Sequence, residues 1–365
     1  MKFLHTADWQ IGLSLAQLGE KTAEARNRRV ATARRIAHLA RSAAVDFVLI
    51  AGDIFEHNGL SETTVTEIAS ILSSFPCPVY LIPGNHDPAV PGSVWERTVW
   101  QECPNVHLLI QPQPVPVPGG ILFPCPVRDP HATEDPTQWI PHQPTDQIRI
   151  GLAHGSVLGN PEIEPSYPIS RNAPELRGLD YLALGHWHST ALFPPGGPAR
   201  MAYAGTHEPT RFGEPDSGNV LVVEIPGPRA SPQVEKRRVA SLQWLTLERT
   251  VRQDAGLKEL RAELERLPNP AHTLVECRLD GVLRRAHLDE LEPVERILAE
   301  RFFFGRLDTT QLLPEPEDAA WIENLPAGYL RQAARRLLEQ AVHSPDPAAA
   351  EALRLLYRGL REVGL

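Results

Sequence analysis

Several things are scarce in this chain of 365 residues. Lysine is nearly absent, so most of the 36 basic residues are arginine. With 36 prolines beside them, this reads as a coding bias and carries no mechanism. Cysteine is limited to Cys77, Cys103, Cys125 and Cys277. None forms a CxxC pair and their spacing fits no zinc pattern, which leaves reduced, mostly buried thiols as the expectation. No apolar run approaches the ~20 residues of a membrane-spanning helix. The N-terminus runs straight into a strand without a secretory leader, so a cytoplasmic protein with no membrane partner is expected. There is no internal repeat. Excess positive charge is missing too, since the formal net charge is −9. That argues against a protein that only coats nucleic acid, which is usually basic. It leaves room for an enzyme whose site holds cations where a phosphate must sit.

What is present is apolar sequence arranged to deliver polar groups. Apolar residues make up 42%, enough for a sizeable core, and the length allows one domain of up to ~250 residues plus a smaller one. Five apolar runs end the same way. Residues 3–7 lead to Asp8, and 47–52 to Asp53. Residues 79–82 lead to Pro83-Gly84-Asn85-His86-Asp87, where glycine permits a sharp turn. Residues 148–153 lead to His154, and 181–185 to His186-Trp187-His188. Five strands with oxygen or imidazole ligands at their C-terminal ends predict one metal-rich site at a sheet edge. Asn, Gly and Asp are common turn residues, and a lone His at a strand end is often structural. The five together carry the reading.

Between these strands, periodicity predicts helices over 20–44 and 61–74 and a short one over 95–101. The first sets Val30, Ala33, Ile36, Ala37 and Ala40 on one face and Lys21, Arg26, Arg28, Arg29, Arg34, Arg35 and Arg41 on the other. A solvated face is the ordinary reading of such a charge run, and a surface that tracks phosphates the sharper one. The Pro-rich stretch 124–146 reads as a long loop. Further strands are expected at 201–204 and 219–225, with 234–239 pairing with 242–250. After about residue 250 no ligand cluster recurs. Three units are expected: 1–248 with the site, 249–325 as a small α/β cap, and 326–365 as a pair of C-terminal helices.

Hydrolysis of a phosphodiester needs charge neutralised on the phosphoryl oxygens and a nucleophile that exists at neutral pH, and a pair of metal ions supplies both. A bridging carboxylate with mixed oxygen and imidazole ligands suits Mn2+, Fe2+ or Zn2+ better than Mg2+ alone. Asp8-x-Gln10, Gly52-Asp53, Gly84-Asn85-His86-Asp87, His154 and Gly185-His186-x-His188 come in the order and approximate spacing of the calcineurin-like metallophosphoesterases, which this chain resembles. Within that superfamily, MKFLHTADWQIG, FVLIAGDIFE, LIPGNHDP and, at 203–213, YAGTHEPTRFG resemble the nuclease subunit of bacterial SbcCD and its archaeal and eukaryotic counterparts. The resemblance covers residues 1 to roughly 240; the cap matches only in layout.

The resemblance implies a four-layer α/β sandwich with a small α/β cap and a helical tail, and two divalent metal ions, with Mn2+ expected. Asp53 would bridge the ions, Asp8 and His188 would bind the first, and Asn85, His154 and His186 the second. His86 would act on the phosphate, with Asp87 orienting it from behind. Gln10 departs from the family pattern, which usually has a His ligand there, and a neutral carboxamide predicts a weaker first site. The implied activity is a DNA exonuclease, with endonuclease activity as a second mode, in end processing or double-strand-break repair. An SbcC-type SMC-family ATPase and a second copy of the chain are the implied partners beside DNA. A metallophosphoesterase for a small phosphodiester or nucleotide stands as one alternative. A partly inactivated scaffold, which Gln10 alone supports, is another. Arg28, Arg29, Arg171 and Arg211 are the candidate phosphate contacts. The C-terminal helices carry apolar stripes at Leu330, Ala334, Leu337, Leu338 and Ala341 and at Leu353, Leu356, Tyr357 and Leu360. Such stripes pack within their own domain or, in the sharper reading, dock on the ATPase. Trp9 and Trp187 are read as packing, His5 as core, and His207 as a surface residue or one just behind the ligands.

Overall fold

The computed structural model describes every residue except 130–132, 144, 160–165, 252–253, 284–289, 315–319, 344–346 and 363–365. His131, His287 and the Ser344-Pro345-Asp346 linker therefore lie outside the described residues. The chain forms two compact units, Met1–Gln243 and Trp244–Leu365.

The first unit begins with β1 (Lys2–Thr6), α1 (Thr22–Ser42), β2 (Phe47–Ala51), α2 (Glu62–Ser73), β3 (Val79–Ile82) and β4 (Val106–Leu108). There follow β5 (Val115–Val117), β6 (Gly120–Cys125), β7 (Ile148–His154), α3 (Ala173–Arg177), β8 (Tyr181–Gly185), β9 (Ala191–Phe193), β10 (Met201–Tyr203), β11 (Asn219–Glu224) and β12 (Gln233–Arg238). They make two six-stranded sheets, ordered β12-β11-β1-β2-β3-β4 and β5-β6-β7-β8-β10-β9. The runs β1 to β4 and β6, β7, β8, β10 are parallel. Strands buried on both faces need apolar residues at every position, which is why these segments read as unbroken runs.

Side chains alternate between two environments along each strand. Phe3, Leu49 and Ile82 face Leu122, Ile150 and Tyr181 in a core between the sheets. Leu4, Val48, Ile50 and Leu81 face outward against Ile36 and Ala37 of α1 and Val65, Ile68 and Leu72 of α2. Ser61 caps α2 as its position suggests, its side chain accepting the Thr64 N–H. On the other outer surface, Phe123, Leu182 and Leu184 pack with Ile140, Ile169 and Ala173. The result is a four-layered α/β sandwich whose fourth layer is irregular chain and the five-residue α3. The segment expected as a short helix is a pair of 3-10 turns, Val94–Glu96 and Thr98–Glu102.

In the second unit, β13 (Gln243–Val251), β14 (Thr273–Leu283) and β15 (Phe304–Pro314) form a three-stranded sheet in that order. α4 (Asp254–Arg266) and α5 (Leu291–Arg301) cover one face, with Leu257, Leu260, Leu264, Val294 and Leu298 against Val251, Val275, Cys277 and Leu279. The expected pairing of 234–239 with 242–250 does not occur. β12 pairs with β11, while β13 starts the second sheet. Ala240-Ser241 lacks the Gly or Asn of a two-residue hairpin turn, and the Glu208 carboxylate holds the Ser241 and Leu242 backbone N–H groups. After α6 (Ala320–Glu323), α7 (Tyr329–His343) and α8 (Pro347–Glu362) pack on each other. Ala334 and Leu338 meet Leu353, Leu356 and Leu360, and Trp321 meets Tyr357 edge to face at 5.0 Å. Leu330, from the predicted stripe, remains exposed. No helix among the described residues is long and apolar enough to cross a membrane.

Candidate metal centre

Parallel strands end on the same edge, so β1, β2 and β3 of one sheet and β7 and β8 of the other deliver their ligands together. The loops that follow are unusual in backbone geometry. Asp8, Gln10, Asp53 and His186 adopt positive φ values of 53°, 46°, 52° and 107°, a region that side chains enter at a cost and that clusters at functional sites. The turn glycines make room for close approach. A Cβ on Gly84 would lie 2.1 Å from Asp53 Oδ1, and one on Gly185 would lie 1.9 Å from the Ala51 carbonyl oxygen.

Asp8, Asp53 and His154 are buried, with one ligand atom each inside a 4.8 Å circle. Asp53 Oδ1 accepts the His86 backbone N–H at 2.9 Å, and Oδ2 accepts Gln10 Nε2–H at 3.1 Å. Both Asp8 oxygens accept the His186 backbone N–H, at 3.0 and 3.1 Å. His154 Nδ1 donates to the Ala51 carbonyl at 2.8 Å, which leaves Nε2 bare. That nitrogen lies 2.8 Å from Asn85 Oδ1 and 3.5 Å from Asp53 Oδ2. His186 Nδ1 reaches the same Asn85 oxygen at 2.9 Å, while its Nε2 meets the Ser166 hydroxyl at 3.0 Å. His188 Nδ1 meets Thr210 Oγ1 and Glu214 Oε1, each at 3.0 Å.

These groups fit a divalent cation. Burial, then the charge of Asp53, pushes the Asp8 carboxyl well above its ordinary range. Burial pushes the His154 imidazole down, and burial followed by the neighbouring His154 pushes His186 down to about 3. Crowded, buried carboxylates hold on to a proton while buried imidazoles give theirs up, and a divalent cation takes the place of that proton and uses the bare imidazole nitrogens. His154 Nε2 faces oxygens with no proton to share. Gln10 Oε1 is buried without a hydrogen-bond partner among the described residues. Asp8, Gln10, Asp53 and His188 would hold one ion, and Asp53, Asn85, His154 and His186 the other.

Two expectations need revision. Asp87 does not reach behind His86: its oxygens accept the Gly84 N–H at 2.7 Å and the Phe55 N–H at 3.0 Å, pinning two loops together. His86 Nδ1 instead donates to the Glu56 carbonyl at 3.1 Å, with the Glu56 carboxylate 3.9 Å away. Arg29 leaves the phosphate-contact set. It is buried, and donates to the carbonyls of Trp9, Glu208 and Pro209 at 2.9, 3.0 and 2.7 Å. Of the two readings of His207, burial against the Trp9 ring at 5.4 Å leaves the one just behind the ligands. Arg28 remains on the outer surface, paired with Glu24 at 2.7 Å. Arg171 donates to the carbonyls of Leu158 and Gly159. Arg211 is exposed and lines a cleft of about 430 Å3 together with Gln10, Glu56, His86, His186, Trp187, His188 and Glu214. Sequence reasoning missed Glu56, Thr210 and Glu214; Glu214 stands one residue beyond the quoted 203–213 segment.

Residues 1–190 match the family described as calcineurin-like phosphoesterase, and the chain belongs to that family. A relative in Bacillus subtilis (strain 168), the uncharacterized metallophosphoesterase YhaO, is 25% identical over 237 residues. That match covers 61% of this chain and 57% of the relative, so the chain spans little more than half of that protein's length. The solved structure of TT1561 of Thermus thermophilus superposes with a TM-score of 0.44 at 12% identity, over 65% of this chain and 98% of that one.

Proposed function

We propose that this metallophosphoesterase cleaves phosphodiester bonds in DNA, as an SbcD-like exonuclease with endonuclease activity as a second mode. The observation that carries the reading is a contrast in exposure. The ligand carboxylates are buried, whereas the His86 side chain is 41% exposed in the wall of the cleft. A polymeric substrate needs its phosphate to meet the acting imidazole from solvent without the chain entering a closed pocket. Arg211 at the cleft supplies a cation for a neighbouring phosphate, and Trp187 an aromatic face. The sequence resemblance to SbcD-type nucleases supports the same substrate, and extends to Mn2+, an SMC-family ATPase partner, a homodimer and a cytoplasmic location.

Divalent ions, when bound, supply charge neutralisation at the phosphate and a nucleophile near neutral pH. The chain's own contribution is positioning. Asp53 is held at both oxygens, so its orientation is fixed before substrate arrives. His86 has Nδ1–H committed to the Glu56 carbonyl, which leaves Nε2 to carry the second proton of the imidazolium, the one given to the departing oxygen. A second reading, a small phosphodiester or nucleotide as substrate, is favoured by the cleft's volume, which lies in the range of small-molecule sites, and by the net charge of −9.

The test is cleavage of linear duplex DNA in Mn2+, with Asp53→Ala and His86→Ala as controls and a chromogenic phosphodiester alongside. DNA degradation that both variants abolish is expected. Turnover of the chromogenic diester alone would favour the small-substrate reading.

A further inference from the structure

The half-site expected for the first ion has one neutral oxygen where the family has an imidazole. Gln10 also has its Nε2 engaged by Asp53. On the opposite flank, the chain places a carboxylate behind His188. Glu214 Oε1 lies 3.0 Å from His188 Nδ1, and its side chain is 4% exposed. The other oxygen, Oε2, accepts the Thr210 backbone N–H at 3.0 Å, and the Thr210 hydroxyl donates to Oε1. Both oxygens thus act as acceptors. The hydrogen shared with the imidazole therefore sits on Nδ1, and Nε2 is left as a lone pair.

The other two ligand histidines are held differently. The outer nitrogen of His154 meets a backbone carbonyl and that of His186 a hydroxyl; among the described residues, only His188 of the three has a carboxylate on its outer nitrogen. The turn that supplies it is itself anchored, because Arg29 on α1 holds the carbonyls of Glu208 and Pro209 just before Thr210. Arg29 also holds the carbonyl of Trp9, between Asp8 and Gln10. One buried guanidinium therefore ties both flanks of the half-site to the same helix.

We propose that Glu214 is a positioning residue for the first metal ion: it fixes His188 as the Nδ1–H tautomer, presents Nε2 to the cleft, and places negative charge behind the imidazole that offsets the neutral Gln10. A carboxylate behind a ligand histidine raises its basicity, and losing such a partner costs about 10- to 100-fold in metal affinity. This inference rests on the metal-dependent reading of the site and not on DNA as substrate.

The experiment titrates the metal-free full-length protein with MnCl2, following heat release and the free Mn2+ spin-resonance signal. Wild type is expected to bind two ions. Glu214→Gln keeps the shape, and is expected to weaken one site by about 10- to 100-fold while leaving the other unchanged; Glu214→Asp is expected to recover part of the loss. In parallel, 15N spectra of the histidine-labelled wild type, with His188 assigned by its disappearance in His188→Gln, are expected to show the Nδ1–H tautomer. Unchanged affinity in Glu214→Gln, equal weakening of both sites, or an Nε2–H tautomer at His188 would each overturn the proposal. A wild type that binds no Mn2+ would overturn it together with the metal-dependent reading. A wild type that binds two ions yet leaves DNA intact would count only against the substrate.

Discussion

Asp53 is the residue on which both halves of the site converge, since Gln10 and His86 bond to its two oxygens and His154 lies beside it. Asp53→Ala is expected to lower phosphodiesterase activity by roughly 10^3-fold or more, with loss of bound metal measured by elemental analysis. Arg29 has a different consequence. Arg29→Ala removes charged hydrogen bonds to three buried carbonyls, and a loss of about 3 kcal/mol or more in urea unfolding is expected. Arg29→Lys should restore less than half, because a single ammonium cannot span the fork. The signal for this burial was present in the sequence. Positions 29, 33, 36 and 40 follow helical spacing, and Ala33, Ile36 and Ala40 are the core face of α1; the residue type, arginine, masked the position. His5 is a cleaner case. It donates through Nε2 to the Leu184 carbonyl, accepts from the Tyr181 hydroxyl, and is pushed by burial down to about 3. Between that value and the unfolded value near 6.5, the unfolded chain binds a proton that the folded chain refuses. Stability therefore falls as pH drops through this window. A His5→Phe variant should show a shallower dependence, by about one proton, in unfolding midpoints measured from pH 7 to pH 3.5.

At the scale of elements, the ends of parallel strands explain why so much of the centre could be read in advance. A strand buried on both faces announces itself as an apolar run, and whatever follows it is at the carboxyl edge. Asp8, Asp53, Asn85, His154, His186 and His188 all stand at such ends. Glu56, Thr210 and Glu214 do not: they act from loops, which have no period, and meet their histidines through contacts set by tertiary packing. The same limit explains β12 and β13, where two strand-like runs read as a hairpin but a buried carboxylate, Glu208, holds the connection in another course. The turn glycines are sharper tests of the element ends. Gly185→Ala would drive a methyl into the Ala51 carbonyl, and Gly84→Ala into Asp53. Each is expected to cost several kcal/mol or to displace the turn, with activity lost even where the variant stays folded by circular dichroism.

For the whole molecule, the second unit has its own core in Leu257, Leu264, Val275 and Leu298, and the ligands all belong to the first. A chain ending at Gln243 is expected to fold cooperatively and to keep turnover of a small phosphodiester; under the DNA reading proposed above it should lose most of its cleavage of duplex DNA, and comparison of the two substrates measures the difference. The order of the first sheet has a further consequence, in time. β1 lies between β2 and β11, so the strand that leads to Asp8 gains its second neighbour only once residues 219–224 have been made. A nascent chain leaving the ribosome holds every ligand up to His188 before it can complete that sheet. The pairing of β1 with β11 joins residues 2–5 to residues 221–224, the two ends of the first unit's chain. An interrupted translation product would carry every ligand up to His188 while β1 still lacked one of its two neighbours.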